Sequence, residues 1–196
     1  RQKVCYILLK ENKVINNGSE IYQLCEELFP ICRSITGNGV RKTLAIIQNH
    51  LPRLNIFEVP SGTAAFDWVV PKEWNINDAY IIDPNGVKII DFKKSNSHVV
   101  GYSLPVDETL PLEELQAHLY SLPDQPTAIP YITSYYKKRW GFCLSHNQRL
   151  TLAPGDYHVR IDSTLEDGNL TYAELILPGA TEKEIFISTY ICHPSM

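Results

Sequence analysis

The strongest chemical signal in the chain is a run of residues, Glu184-Ile185-Phe186-Ile187-Ser188-Thr189-Tyr190-Ile191-Cys192, that leads directly into His193-Pro194-Ser195-Met196. A β-branched and aromatic run finishing in an imidazole and a proline is how α/β enzymes place a first metal ligand at the carboxyl end of a buried strand. Neutral imidazole suits zinc, and Pro194 would stiffen the loop that aims it. His193 is therefore the candidate metal ligand. A hydrogen-bonded histidine at a strand end is the alternative that spacing alone leaves open. The partners of a metal site should come after His193, so the expectation is of a piece of a longer polypeptide.

Other polar groups give weaker signals. Adjacent strand residues point to opposite faces, so Cys192 reads as a buried thiol and not as a second ligand beside His193. Residues 140–149, Trp-Gly-Phe-Cys-Leu-Ser-His-Asn-Gln-Arg, run from an apolar strand into hydrogen-bonding side chains, as at the rim of a pocket. Within them His146 is the candidate substrate-binding residue, and a solvated strand end is the alternative. Ser34-Ile35-Thr36-Gly37-Asn38-Gly39 could turn N–H groups toward an anion but fits no nucleotide-binding fingerprint, so a turn with a helix cap is the better reading. Tyr135-Tyr136-Lys137-Lys138-Arg139-Trp140 could meet a sugar or phosphate, or be a lysine-protected strand edge.

These groups must be positioned by an α+β fold. Ile21, Leu24, Cys25, Leu28 and Phe29 recur at helical spacing until Pro30, and Val40, Leu44, Ile47 and Leu51 form a second stripe closed by Pro52. From residue 54 the texture is β, with strands predicted at 54–59, 66–70, 79–83, 87–92, 98–102, 129–136, 140–145, 157–165 and 170–177. Asp83-Pro84-Asn85-Gly86 predicts a hairpin turn, and the last two strands predict another around Glu166-Asp167-Gly168-Asn169. A short helix is expected after Pro111. The domain reading is a poorly ordered leader at 1–18, a helical part at 19–52, an inserted β-rich domain at 53–178, and a first core strand with its ligand loop at 179–196.

Composition excludes several classes. Of the 196 residues 44% are hydrophobic and 20% charged, which is ordinary for a globular chain. A net charge of −4 supplies no basic field for nucleic acid. The longest early apolar run, residues 4–9, is far below the roughly 20 residues of a membrane span, so no membrane association is expected. Five cysteines, an odd and scattered set without a CxxC pair, point to reduced thiols in the cytoplasm.

Several segments taken together carry a family resemblance: residues 28–37 (Leu-Phe-Pro-Ile-Cys-Arg-Ser-Ile-Thr-Gly), 59–63, 67–76 (Asp-Trp-Val-Val-Pro-Lys-Glu-Trp-Asn-Ile), 91–94, 130–136, 140–148 and 188–196. Over about residues 20–196 the chain resembles the DUF4910/DUF2172 aminopeptidase-like proteins, which look like a divergent branch of the M28-type zinc exopeptidases. The resemblance implies an α/β zinc-peptidase core interrupted by a β-rich domain, with His193 as first metal ligand and zinc as cofactor. It also implies a peptide or aminoacyl-like small substrate and hydrolysis of an amide by metal-activated water. The further ligands and the general base of that pattern lie beyond residue 196, so this segment alone is expected to be inactive. A non-catalytic β-rich module binding a peptide or sugar is the competing expectation.

Overall fold

The computed structural model describes residues 17–192 and combines short helices with small, mostly antiparallel sheets. Helix α1 (Asn17–Leu28) starts where the sequence suggested the end of a leader and stops ahead of Pro30. Residues 1–16 and the metal-ligand candidate His193 lie outside the described residues. Along α1 and just past it, Ile21, Tyr22 and Phe29 are all more than half exposed. Helix α2 (Asn38–His50) buries Val40, Thr43 and Leu44 and ends where the Leu51 N–H bonds to Ile47 O, just before Pro52.

The rest of the described chain is β1 (Asn55–Pro60), β2 (Ala64–Ala65), β3 (Trp68–Val69), β4 (Glu73–Ile82), β5 (Lys88–Asp91), β6 (Val106–Pro111), α3 (Leu112–Leu115), β7 (Leu119–Tyr120), β8 (Phe142–Cys143), α4 (His146–Leu150), β9 (Asp156–Glu166) and β10 (Asn169–Glu174). An antiparallel sheet of order β5-β4-β9-β6 is the largest element. In β9 the alternation is regular: Tyr157, Val159, Ile161 and Ser163 point inward between outward His158, Arg160 and Asp162. In β4 the buried residues change parity, from Trp74 to Ala79 and Ile81, and a register shift between Ile76 and Asp78 explains it. One extra residue in the strand keeps both ends facing the same core.

The Asp83–Gly86 hairpin forms as expected between β4 and β5. Gly86 supplies φ 79°, and Asp83 Oδ1 accepts from the Asn85 and Val87 N–H groups at 3.0 and 2.8 Å. The second predicted hairpin does not form. β9 pairs with β4 and β6, whereas β10 leaves that sheet to pair with β1, from Asn55 opposite Glu174 to Pro60 opposite Asn169. The reason is local: a side chain on Gly168 would sit 2.5 Å from Glu73, and Glu73 takes the Asn169 N–H at 3.1 Å. The turn packs on the start of β4 and carries the chain from one sheet to the other.

Three more predicted strands are corrected. At 98–102 Tyr102 sits at φ 65°, which ends extended structure, and only isolated bridges remain, Val99 to Phe142 and Gly101 to Thr133. Residues 129–136 form an irregular loop with Thr133 in the second of those bridges. The run at 184–190 forms no strand, and Ile185, Phe186 and Ile187 are 91%, 91% and 83% exposed. Among the described residues no strand lies beside it to take its backbone hydrogen bonds.

Two packed clusters hold the molecule. The larger lies under the four-stranded sheet and includes Trp74, Ile81, Tyr102, Leu115, Phe142, Leu144, Tyr157 and Ile161. The smaller joins Val40, Leu44, Leu54 and Cys192, with Ile56 and Ala173 from the β1–β10 ribbon against it.

Candidate functional site

Where the two clusters meet, residues 32–37 run between α1 and α2 against the start of β4. Glycine makes this approach possible: a Cβ on Gly39 would lie 1.9 Å from Cys32 O, and one on Gly37 would lie 2.3 Å from Trp74 O. Side chains then lock the loop. Thr36 Oγ1 accepts the Trp74 N–H at 3.2 Å and pairs with Tyr102 Oη, which also receives the Ser34 hydroxyl at 3.4 Å. Tyr102 is almost wholly buried and stacks on Trp74 with ring centroids 5.6 Å apart. Burial pushes its phenol up to about 12, against the opposing pull of those two hydroxyl bonds, so it stays a neutral hydrogen-bonding group.

Arg33 fastens the tail to this loop. Its Nε donates to Ile191 O at 2.6 Å and its Nη1 to Leu28 O and Ile31 O. Cys192 packs against α2, and burial raises its thiol to about 11, so it is a poor nucleophile near neutral pH. Tyr190 hydrogen-bonds Tyr131, which also bonds Tyr135. The backbone immediately before His193 is therefore held by α2, by Arg33 and by the 129–135 loop together.

Two small clefts flank residues 32–34. One, of about 190 Å³, lies toward the α2 N-terminus and β4. Asn75 Oδ1 already takes the Asn38 N–H there at 2.7 Å, so the helix cap is filled from within, in line with the reading of residues 34–39 as a turn and cap. The other, of about 210 Å³, opens between residues 32–34, the 96–101 segment and the 129–133 loop, and reaches Tyr131.

His146 opens α4, and its Nδ1 lies 3.0 Å from Ser121 Oγ, which also receives Arg149 Nη1 at 3.4 Å. It lines neither cleft. Cys143 and His146 do not converge: Cys143 is fully buried, with its thiol raised by burial to about 12, while His146 faces Ser121. In the 135–140 segment the Trp140 ring stacks on His118 at 3.6 Å, and Arg139 turns inward to Ser134 Oγ and Thr133 O. Among the described residues no group of three or more His, Cys, Asp or Glu side chains could hold a metal ion. The described part of the chain does not fit zinc by itself. Arg33, Asn96, Ser97, Tyr131 and Thr133 come together from two loops and the single-turn 3-10 helix Asn96–His98, all too short for a periodicity to mark a side chain.

Comparison with known proteins shows what the chain as a whole is similar to. Residues 73–164, the central sheet and its connections, match the family described as "Domain of unknown function (DUF2172)". The chain is 58% identical over 189 residues to a protein of Clostridium acetobutylicum named "Putative polysaccharide biosynthesis protein with aminopeptidase-like domain". That match covers 94% of this chain but 43% of the relative. A crystal structure of a "putative peptidase" from the same organism superposes with a TM-score of 0.86 at 58% identity, over 92% of this chain and 42% of that one. The chain thus spans less than half the length of the relatives it matches. Its mixed helix-and-sheet fold is that of a protein named as a peptidase.

Proposed function

We propose that this chain is part of an amide-hydrolysing enzyme of the aminopeptidase-like kind, acting on a peptide or aminoacyl-like small substrate. The observation that carries this reading is the 58% identity, across nearly the whole chain, to proteins named aminopeptidase-like and peptidase. His193 is the proposed zinc ligand. In support, the residues just before it are pinned by Arg33 and by the Cys192 packing, which a ligand aimed at a fixed point requires. The other ligands are proposed to come from sequence beyond this chain.

The domain reading is kept as a proposal: residues 53–178 form a unit inserted into a larger core begun by residues 19–52 and resumed at 179–196. Its support is the pairing of Asn55 with Glu174, which brings the entry and exit of the unit side by side. The exposed apolar surfaces of α1 and of residues 185–187 are the parts such a core would cover. The cytoplasm is the proposed compartment, supported by four free thiols among the described residues. No described helix is long and apolar enough to cross a membrane.

The test is made on the full-length protein carrying this segment. Hydrolysis of aminoacyl anilides and bound zinc by elemental analysis are compared between the parent and His193→Ala. Loss of zinc together with activity is expected, and equal metal content and rate in both proteins would remove His193 from the site.

A further inference from the structure

We propose that the 210 Å³ cleft between the 96–101 segment and the 129–133 loop binds a single uncharged sugar ring. The binding groups all lie within this chain, so such a site stands apart from the hydrolase reading.

Size sets the first limit. Pockets that take drug-sized molecules measure about 300–1,000 Å³. This cleft is smaller and open at one side, which suits one ring at the end of a longer molecule.

The chemistry of the wall sets the second. Ser97 and Thr133 bring hydroxyls, and Asn96 brings an amide whose Nδ2 is turned to Phe29 O, leaving Oδ1 as an acceptor. Hydroxyls donate and accept alike, as do those around a pyranose rim. Val99 and Ile129 stand among them as apolar surface for the C–H faces of such a ring.

Charge sets the third. Among the described residues no carboxylate lines the cleft, so an ammonium group placed in it would meet no counter-ion from them and would face the Arg33 guanidinium. The Arg33 guanidinium at its floor is directed to the Leu28, Ile31 and Ile191 carbonyls. A neutral polyol matches this lining and a free aminoacyl group does not.

The wall is also preorganised. Gly101 N–H donates to Ile132 O at 2.8 Å, and Ser134 N–H to Gly101 O at 2.9 Å. A side chain on Gly101 would stand 3.1 Å from Thr133 Oγ1, so glycine lets the two segments lie this close.

The experiment titrates the isotope-labelled full-length protein carrying this segment with methyl glucoside, with N-acetylglucosamine and, in a separate arm, with leucinamide, following backbone amide shifts. Saturable shifts at Ser97, Gly101 and Thr133 with a sugar, and none there with leucinamide, are expected. Thr133→Val, which keeps the shape and removes the hydroxyl, should weaken sugar binding about fivefold, the worth of one ordinary hydrogen bond. Should that variant melt early, Ser97→Ala replaces it. The proposal is overturned if neither sugar moves these amides, if leucinamide moves them instead, or if the folded variant binds as tightly as the parent. None of these results bears on His193, so failure here and failure of the hydrolase reading are distinguishable.

Discussion

Arg41 on α2 grips Glu73, the first residue of β4, through two hydrogen bonds of 3.0 and 2.5 Å. Glu73 also accepts from the Asn75 side chain and from the Asn169 backbone, so one carboxylate ties the helix, the large sheet and the crossing into β10. The Arg41 hydrogen bond is the largest influence on that carboxyl, which is held down at about 2 although partial burial pushes it up.

The pH dependence follows with a definite sign. A carboxylate depressed in the folded state stabilises it fully above the unfolded value of about 4.5, and the benefit drains away as pH falls toward about 2. Urea unfolding should show a loss on the order of 2 kcal/mol from this group between pH 5 and pH 3. Glu73→Gln should be less stable than the parent at pH 7 and should have a flatter acid limb. Parallel acid limbs in the two proteins would show that the clamp contributes nothing through ionisation.

Gly39 lies in the first turn of α2, where alanine ordinarily raises helix stability by up to about 1 kcal/mol. Here the sign should reverse, because the new methyl would meet the Cys32 carbonyl at 1.9 Å, and backbone cannot swing aside as a flexible side chain can. A destabilisation on the order of 3 kcal/mol is expected for Gly39→Ala in denaturant titration. Unchanged or increased stability would mean that the 32–39 contact is looser than described.

Phe66 sits at the tip between β2 and β3 with φ 54° and its side chain fully exposed. A left-handed conformation costs a non-glycine residue about 1–2 kcal/mol, and no burial offsets it among the described residues. Phe66→Gly should therefore raise the unfolding free energy by about 0.5–1 kcal/mol, part of the relief being cancelled by the freer unfolded chain. Calorimetry showing a lower melting temperature for the variant would mean that the phenyl ring is stabilising where it stands.

Local signals in the sequence carry over to the structure, and long-range pairing does not. Pro30 and Pro52 marked the ends of α1 and α2, and Asn85-Gly86 marked the β4–β5 turn, because backbone limits at proline and glycine act within a few residues. The sequence marks β9 and β10 as strands, but its turn signal at Glu166–Asn169 pairs them with each other. What separates them is Glu73, nearly a hundred residues earlier, and no local pattern reports that contact. The apolar runs at 129–136 and 184–190 read as strands by composition, yet a strand needs a neighbour, and among the described residues neither has more than an isolated bridge. The cleft was invisible for the same reason. Asn96, Ser97 and Thr133 look like ordinary loop polarity until Gly101 lets their segments touch.

The β1–β10 ribbon makes the chain's outward and return paths neighbours from Asn55 and Glu174 to Pro60 and Asn169. The large sheet lies between these two crossings and is tied to the helical part besides by Arg41–Glu73 and by Thr36 against Trp74. A substitution that loosens this ribbon would therefore act on both crossings of the chain at once.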